Sequence, residues 1–153
     1  MKTALQIFFL SFLGISLATA ASIGETPQKK PTLSQEERLN DSWVLQEFDG
    51  KSVTPKQFPS GMPTLQFYVS KDKVNGFGGC NRFHATIKVK KNKLTISEIA
   101  GNKMACPGEG EDDFLEKLAE VKEYKIEGAL MELKSDDEVL MIFHRFEEHK
   151  PGP

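Results

Sequence analysis

Gly76-Phe77-Gly78-Gly79-Cys80-Asn81-Arg82-Phe83-His84-Ala85-Thr86-Ile87 is the stretch on which the fold turns. Gly76, Gly78 and Gly79 fall within four residues. Glycine there costs backbone entropy and fits best where a chain bulges, bends or admits another backbone. A phosphate-cradling loop would have to lead into a helix N-terminus. This one leads into Phe83-His84-Ala85-Thr86-Ile87, which alternates as a strand. The chain is therefore read as β-rich, not as a nucleotide-binding α/β fold.

Working outward, period-two alternation recurs on both sides. Ser42 to Phe48 predicts a first strand, closed by Asp49-Gly50, and the proline-rich residues 51–63 predict a loop. Thr64 to Val69 predicts a second strand and Lys71-Asp72 a turn. A third strand is expected from Lys73 through the glycines to about Val89, with Lys91-Asn92 turning the chain back along Leu94-Thr95-Ile96. One helix is expected from Glu111 to about Val121, where Phe114, Leu115, Leu118 and Val121 repeat at three- and four-residue spacing. Strands around Tyr124-Ile126, Ala129-Leu133 and Val139-Phe146 complete the pattern. The last is apolar on both faces, as a central strand is. The fold class is a β-rich α+β: a curved antiparallel sheet or partly closed barrel with one inserted helix.

The N-terminus sets the expected compartment. Lys2 precedes an apolar run from Ala4 to Ala18, and Ala18-Thr19-Ala20 supplies small residues at a cleavage site. That is the order of a secretory signal, cleaved after Ala20. No cysteine lies nearby to carry a lipid, and no later run is long enough for a membrane helix. Residues 21–39 are read as a disordered leader, 40–147 as one domain, and 148–153 as a flexible tail.

Loss of residues 1–20 removes Lys2 and no acid, so 20 basic and 22 acidic residues become 19 and 22 and the net charge goes from -2 to -3. Nucleic-acid binders concentrate a basic face. The nearest thing to one, the run from Lys88 to Lys93, reads as a charged strand edge and its turn. Cys80 and Cys106 are the two cysteines. In an oxidising compartment an even count suggests a bridge. A two-residue turn at Lys91-Asn92 would put Cys80 opposite Lys103, three residues short of Cys106, so Gly101 and Pro107 must bend the chain back. Two buried free thiols are the competing reading.

The glycine-rich segment and a second one, Met104-Ala105-Cys106-Pro107, together resemble the META domain, or HslJ-like heat-shock protein family. The match comprises Gly76, Gly78, Gly79, Cys80, Asn81, Arg82 and Phe83, then Met104, Ala105, Cys106 and Pro107. An acidic helix and closing strands follow in the family's order, and Trp43 stands where the family often has tryptophan. Departures are Ala85 and Ile87, where glycine and an aromatic are usual, and Gly101-Asn102 in place of Ser-Thr. The resemblance implies a lipocalin-like barrel, broad links to envelope stress, heat shock, motility and secretion, and no catalytic residue to carry over.

The chemistry of the remaining candidates is weak. Cys80 and His84 would lie about 13 Å apart on a strand, at roughly 3.3 Å per residue, too far for a nucleophile and its base. His144 and His149 lack metal-ligand spacing. Glu109, Glu111, Asp112 and Asp113 lack the alternation of a calcium loop and suit a helix start. The expected protein is non-catalytic, with no metal or cofactor, monomeric, and periplasmic or secreted. Its expected partner is an envelope or secreted protein. The alternatives are a lipocalin-like carrier of a small apolar ligand and an inhibitor of an exported hydrolase.

Overall fold

The computed structural model describes residues 33–108 and 110–146. The expected signal peptide, most of the leader, and the tail lie outside these residues. Nine strands form one antiparallel sheet: β1 (Ser42–Phe48), β2 (Lys51–Ser52), β3 (Thr64–Tyr68), β4 (Lys73–Phe77), β5 (Arg82–Lys90), β6 (Lys93–Gly101), β7 (Glu123–Glu127), β8 (Leu130–Ser135) and β9 (Glu138–Arg145). Among the described residues two α-helices accompany them, α1 (Gln35–Leu39) and α2 (Gly110–Ala119), with a short 3-10 helix at Val69–Lys71. From β3 to β9 each strand pairs with the next in sequence; β1 pairs with β3 and with β9, which closes a ring. The short β2 extends the sheet from the end of β1.

The single long strand expected from Lys73 to Val89 is two strands, β4 and β5, folded into a hairpin around Gly78, Gly79, Cys80 and Asn81. The loop 51–63 carries β2, because Asp49 and Gly50 both adopt positive φ (48° and 69°) and turn β1 back on itself. That is the backbone of a two-residue hairpin turn. The domain also starts earlier than residue 40. Ser34 caps α1 in a capping box with Glu37, and Leu39 is fully buried. The Ser34 N–H and hydroxyl hold the Glu37 carboxyl below its ordinary range.

The ring is not evenly closed. β6 and β7 share one residue pair, Lys93 with Glu123, reinforced by an ion pair between those side chains. Two further backbone bonds, Leu94 N to Lys122 O and Tyr124 N to Asn92 O, complete the join. Past it the two strands splay apart. The β6 edge from Thr95 to Gly101 pairs with no other strand on that side among the described residues.

Alternation places the core inside the ring. Trp43, Leu45, Leu65, Phe67, Ile87, Leu94, Ile96, Met131, Leu133 and Phe143 are all at most 2 % exposed. A side chain of this size contributes about 1.5–3 kcal/mol when buried. Helix α2 packs into the same core through Phe114 and Leu118. The Phe114 ring meets Phe83 at 6.3 Å and Phe143 at 6.4 Å between centroids, linking β5, α2 and β9.

Candidate functional site

The two sequence motifs meet in space. Cys80 in the β4–β5 loop and Cys106 in the segment before α2 form a disulfide, with Cα atoms 6.0 Å apart. The expected bend does occur, though the register differs from expectation. A bulge on β6 at Glu98 (φ 54°) and Ile99, facing the His84–Thr86 step of β5, shifts the β5–β6 pairing by one. Extended past Phe83–Gly101, that register puts Met104 rather than Lys103 across from Cys80.

Asn81 organises the junction. It is the one buried polar residue of the described core, at 5 % exposure. Its amide oxygen accepts the Met104 N–H (2.9 Å), and its Nδ2 donates to the Met104 carbonyl (3.1 Å). The side chain thus pairs with Met104 as a neighbouring strand would. Nδ2 also donates to Glu111 Oε2 (2.7 Å), and the Asn81 backbone N–H donates to Glu111 Oε1 (2.6 Å). Glu111 sits in the first turn of α2, where the helix dipole favours a carboxylate. One asparagine therefore ties the hairpin loop, the disulfide segment and the helix start together. Satisfied burial of this kind specifies a unique arrangement.

The motif glycines are explained by close approach. A Cβ on Gly79, which has φ 103°, would lie 2.4 Å from the Phe58 ring. One on Gly78 would lie 2.6 Å from Glu111 Oε1, and one on Gly76 2.4 Å from the ring of Phe83, its cross-strand partner. Phe83 is buried, whereas Arg82, Ala105 and Pro107 are exposed. Met104 is 62 % exposed even though both of its backbone polar groups are held. Residues missed in the sequence are Glu111 as the partner of Asn81, Phe58 as the ring over Gly79, and Gln35, described below. Only the acidic crowd at the start of α2 offered a signal for any of them.

Beside this junction a groove of about 700 Å³ runs between the open edge of β6 and α2. Ile99, Met104 and Leu115 give it apolar wall, with Lys103 and Asp112 among its charged residues. Both cysteines are bonded, so neither offers a thiolate nucleophile. Among the described residues, no three His, Cys, Asp or Glu side chains gather to hold a metal ion. No described helix is long and apolar enough to cross a membrane.

At the other end of the seam, α1 covers β7. The Gln35 side chain donates to the Ile126 carbonyl (3.1 Å) and accepts the Ile126 N–H (2.9 Å). Glu36 accepts the Lys91 N–H (2.9 Å), and Arg38 donates to the Gly128 carbonyl (3.0 Å). Tyr124 lies nearby on β7 with its hydroxyl buried and unpartnered among the described residues. Burial, and secondarily the charge of Glu36, push its pKa up to about 12.

The model of the META domain matches residues 35–147. Among solved structures, an NMR structure of a protein from Burkholderia xenovorans is similar with a TM-score of 0.59 and 24 % identity, over 82 % of this chain and 100 % of that one. A second NMR structure of a protein gives 0.57 and 21 %, over 73 % and 95 %. The crystal structure of a DUF4847 family protein from Bacteroides vulgatus gives 0.50 and 11 %, over 74 % and 96 %. At these identities the likeness concerns the fold. No match was found among curated proteins.

Proposed function

The chain belongs to the META domain family, and from that premise we propose that it is an exported, non-catalytic domain that binds other macromolecules and serves envelope stress tolerance. The observation that carries this reading is Met104. A flexible loop can hide an apolar side chain, but this backbone is fixed by Asn81 and by the nearby disulfide. The Met104 side chain is therefore displayed, and a held apolar group at the mouth of a groove is a feature of interaction surfaces. Methionine suits such a role because its side chain adapts to its partner. The open edge of β6 adds backbone donors and acceptors, the chemistry by which an extended polypeptide is recognised.

Two observations support the compartment. The Ala18-Thr19-Ala20 signal pattern stands at the N-terminus, and a disulfide persists where the surroundings oxidise. The carrier reading draws less support, since large apolar side chains occupy the ring.

The test is site-specific photocrosslinking in living cells, with the photoreactive residue at position 104 or, as a control, at Lys51, exposed on β2 and outside the groove. A discrete adduct from 104, absent at 51 and lost when both cysteines are replaced, supports the reading. Equal labelling from both positions would sink it. The recovered chain is expected to begin at Ala21 by mass spectrometry, and a chain still carrying Met1 or Lys2 would end the export claim.

A further inference from the structure

A second groove, of about 570 Å³, lies on the outer face of β3–β6. The pairing Gln66–Asn75, Asn75–His84 and His84–Ala100 runs one row of outward side chains across four strands. Lys73 stands two residues from this row on β4, and Arg82 two residues from it on β5 in the opposite direction. Asn102 lines the groove beside Arg82. Gln66, Lys73, Asn75, Arg82, His84 and Asn102 make no side-chain hydrogen bond or ion pair among the described residues. Elsewhere on this surface charges do find partners: Lys93 with Glu123, Lys122 with Asp136, Lys125 with Glu127 and Arg145 with Asp41. Glu98, exposed on β6, accepts from the Thr86 hydroxyl (2.6 Å) and does not line the groove.

No carboxylate lines this groove, although the whole chain has a net charge of -2. Lys73 and Arg82 therefore line one groove as unpartnered donors, some four residues or about 13 Å apart along the strands at roughly 3.3 Å per residue. Arginine offers a planar fork of donors and lysine a mobile point charge, the pair of functions that grips a tetrahedral oxyanion. Amide donors from Asn75 and Asn102 add to them. This supply exceeds what the two oxygens of one carboxylate can use. We infer that this face is a binding site for a phosphate- or sulfate-bearing ligand, with Arg82 and Lys73 as its charged clamps. This groove adjoins the one beside Met104, with Arg82 and Asn102 lining both, but its ligand chemistry does not depend on Met104.

The test is a titration of the isotopically labelled protein with inorganic phosphate at low ionic strength, followed by NMR. A sulfated tetrasaccharide is titrated in a parallel arm. Saturable shifts are expected at Asn75, Arg82, His84 and Asn102. Arg82→Gln and Lys73→Gln should each weaken binding by about tenfold, as loss of a charge-assisted contact does. Both residues are exposed, and an otherwise unchanged spectrum verifies the fold of each variant. Tighter binding of phosphate assigns a small phosphorylated ligand, and tighter binding of the tetrasaccharide assigns a polymer-borne ester. The denser Lys88–Lys93 run is the internal control. Shifts centred there, shifts that never saturate, or less than a threefold loss on Arg82→Gln would overturn the site.

Discussion

The two ends of the β6–β7 seam solve one problem in different ways. Both leave strand edges without a strand to pair, and at both a helix packs beside the gap. At the α2 end a ten-residue helix buries Phe114 and Leu118, a disulfide fixes the preceding segment, and a buried asparagine is satisfied on both sides of its amide. At the α1 end a five-residue helix relies on side chains reaching backbone groups, Gln35 to Ile126 and Glu36 to Lys91. One buried polar atom there, the Tyr124 hydroxyl, has no partner among the described residues. The lesson concerns local stability. The first closure is covalent and apolar, and the second consists of hydrogen bonds, each contributing about 0.5–1.5 kcal/mol net. The α1 end should open first.

The largest effect expected is that of the disulfide. Cys80 and Cys106 are separated by 26 in sequence, and closing a loop of this length stabilises by about 3.5 kcal/mol in the chain-entropy model. Urea unfolding with and without reductant measures it. A loss below about 1 kcal/mol would show that the covalent end is no stronger than the other.

Asn81→Ala should come next, at about 2–3 kcal/mol, because the Met104 backbone and the Glu111 carboxylate both lose a partner. Amide exchange at Met104 should quicken with it. If stability falls but Met104 stays protected, the asparagine is not what holds the loop.

Tyr124 gives the α1 end a signature in alkali. Its folded pKa of about 12 lies above the ordinary 10.0, so the fold favours the neutral phenol. That contribution is complete below pH 10 and disappears as the pH rises towards 12. Two pKa units correspond to at most about 2.7 kcal/mol. Tyr124→Phe should flatten the stability curve in this window, and at neutral pH change stability by less than about 1 kcal/mol, since no hydrogen bond is lost. An unchanged alkaline slope in the variant would place the titration elsewhere.

The smallest effect belongs to Gln35→Ala, about 1 kcal/mol. Hydrogen exchange at Ile126 should speed up while exchange in β5 stays as it was. A loss equal to that of Asn81→Ala would erase the contrast between the two ends.

Much of the fold was legible because alternation is a local property. Strands at Ser42–Phe48 and Thr64–Tyr68, and the helix carrying Phe114 and Leu118, follow from side chains two or three to four positions apart. The break between β4 and β5 was less legible. Glycines at 76, 78 and 79 are compatible with a bulged strand or with a hairpin, and what selects the hairpin is the Phe58 ring over Gly79 and Glu111 beside Gly78. Both contacts come from distant parts of the chain. The start of the domain was missed because Ser34 to Leu39 is polar but for Leu39, and its capping box alone does not stabilise five residues.

The sequence alone determined the β-rich class, the alternating core, the family motifs and the pairing available to two cysteines. These depend on residue type and spacing, which chain order preserves. Tertiary structure decided that the ring closes unevenly, that Asn81 donates to the Glu111 carboxylate across thirty positions, and that Lys73 and Arg82 line one groove. The physical reason is register. A one-residue bulge near Glu98 resets which residues meet across β5 and β6, and only packing against the finished core selects where such a bulge falls.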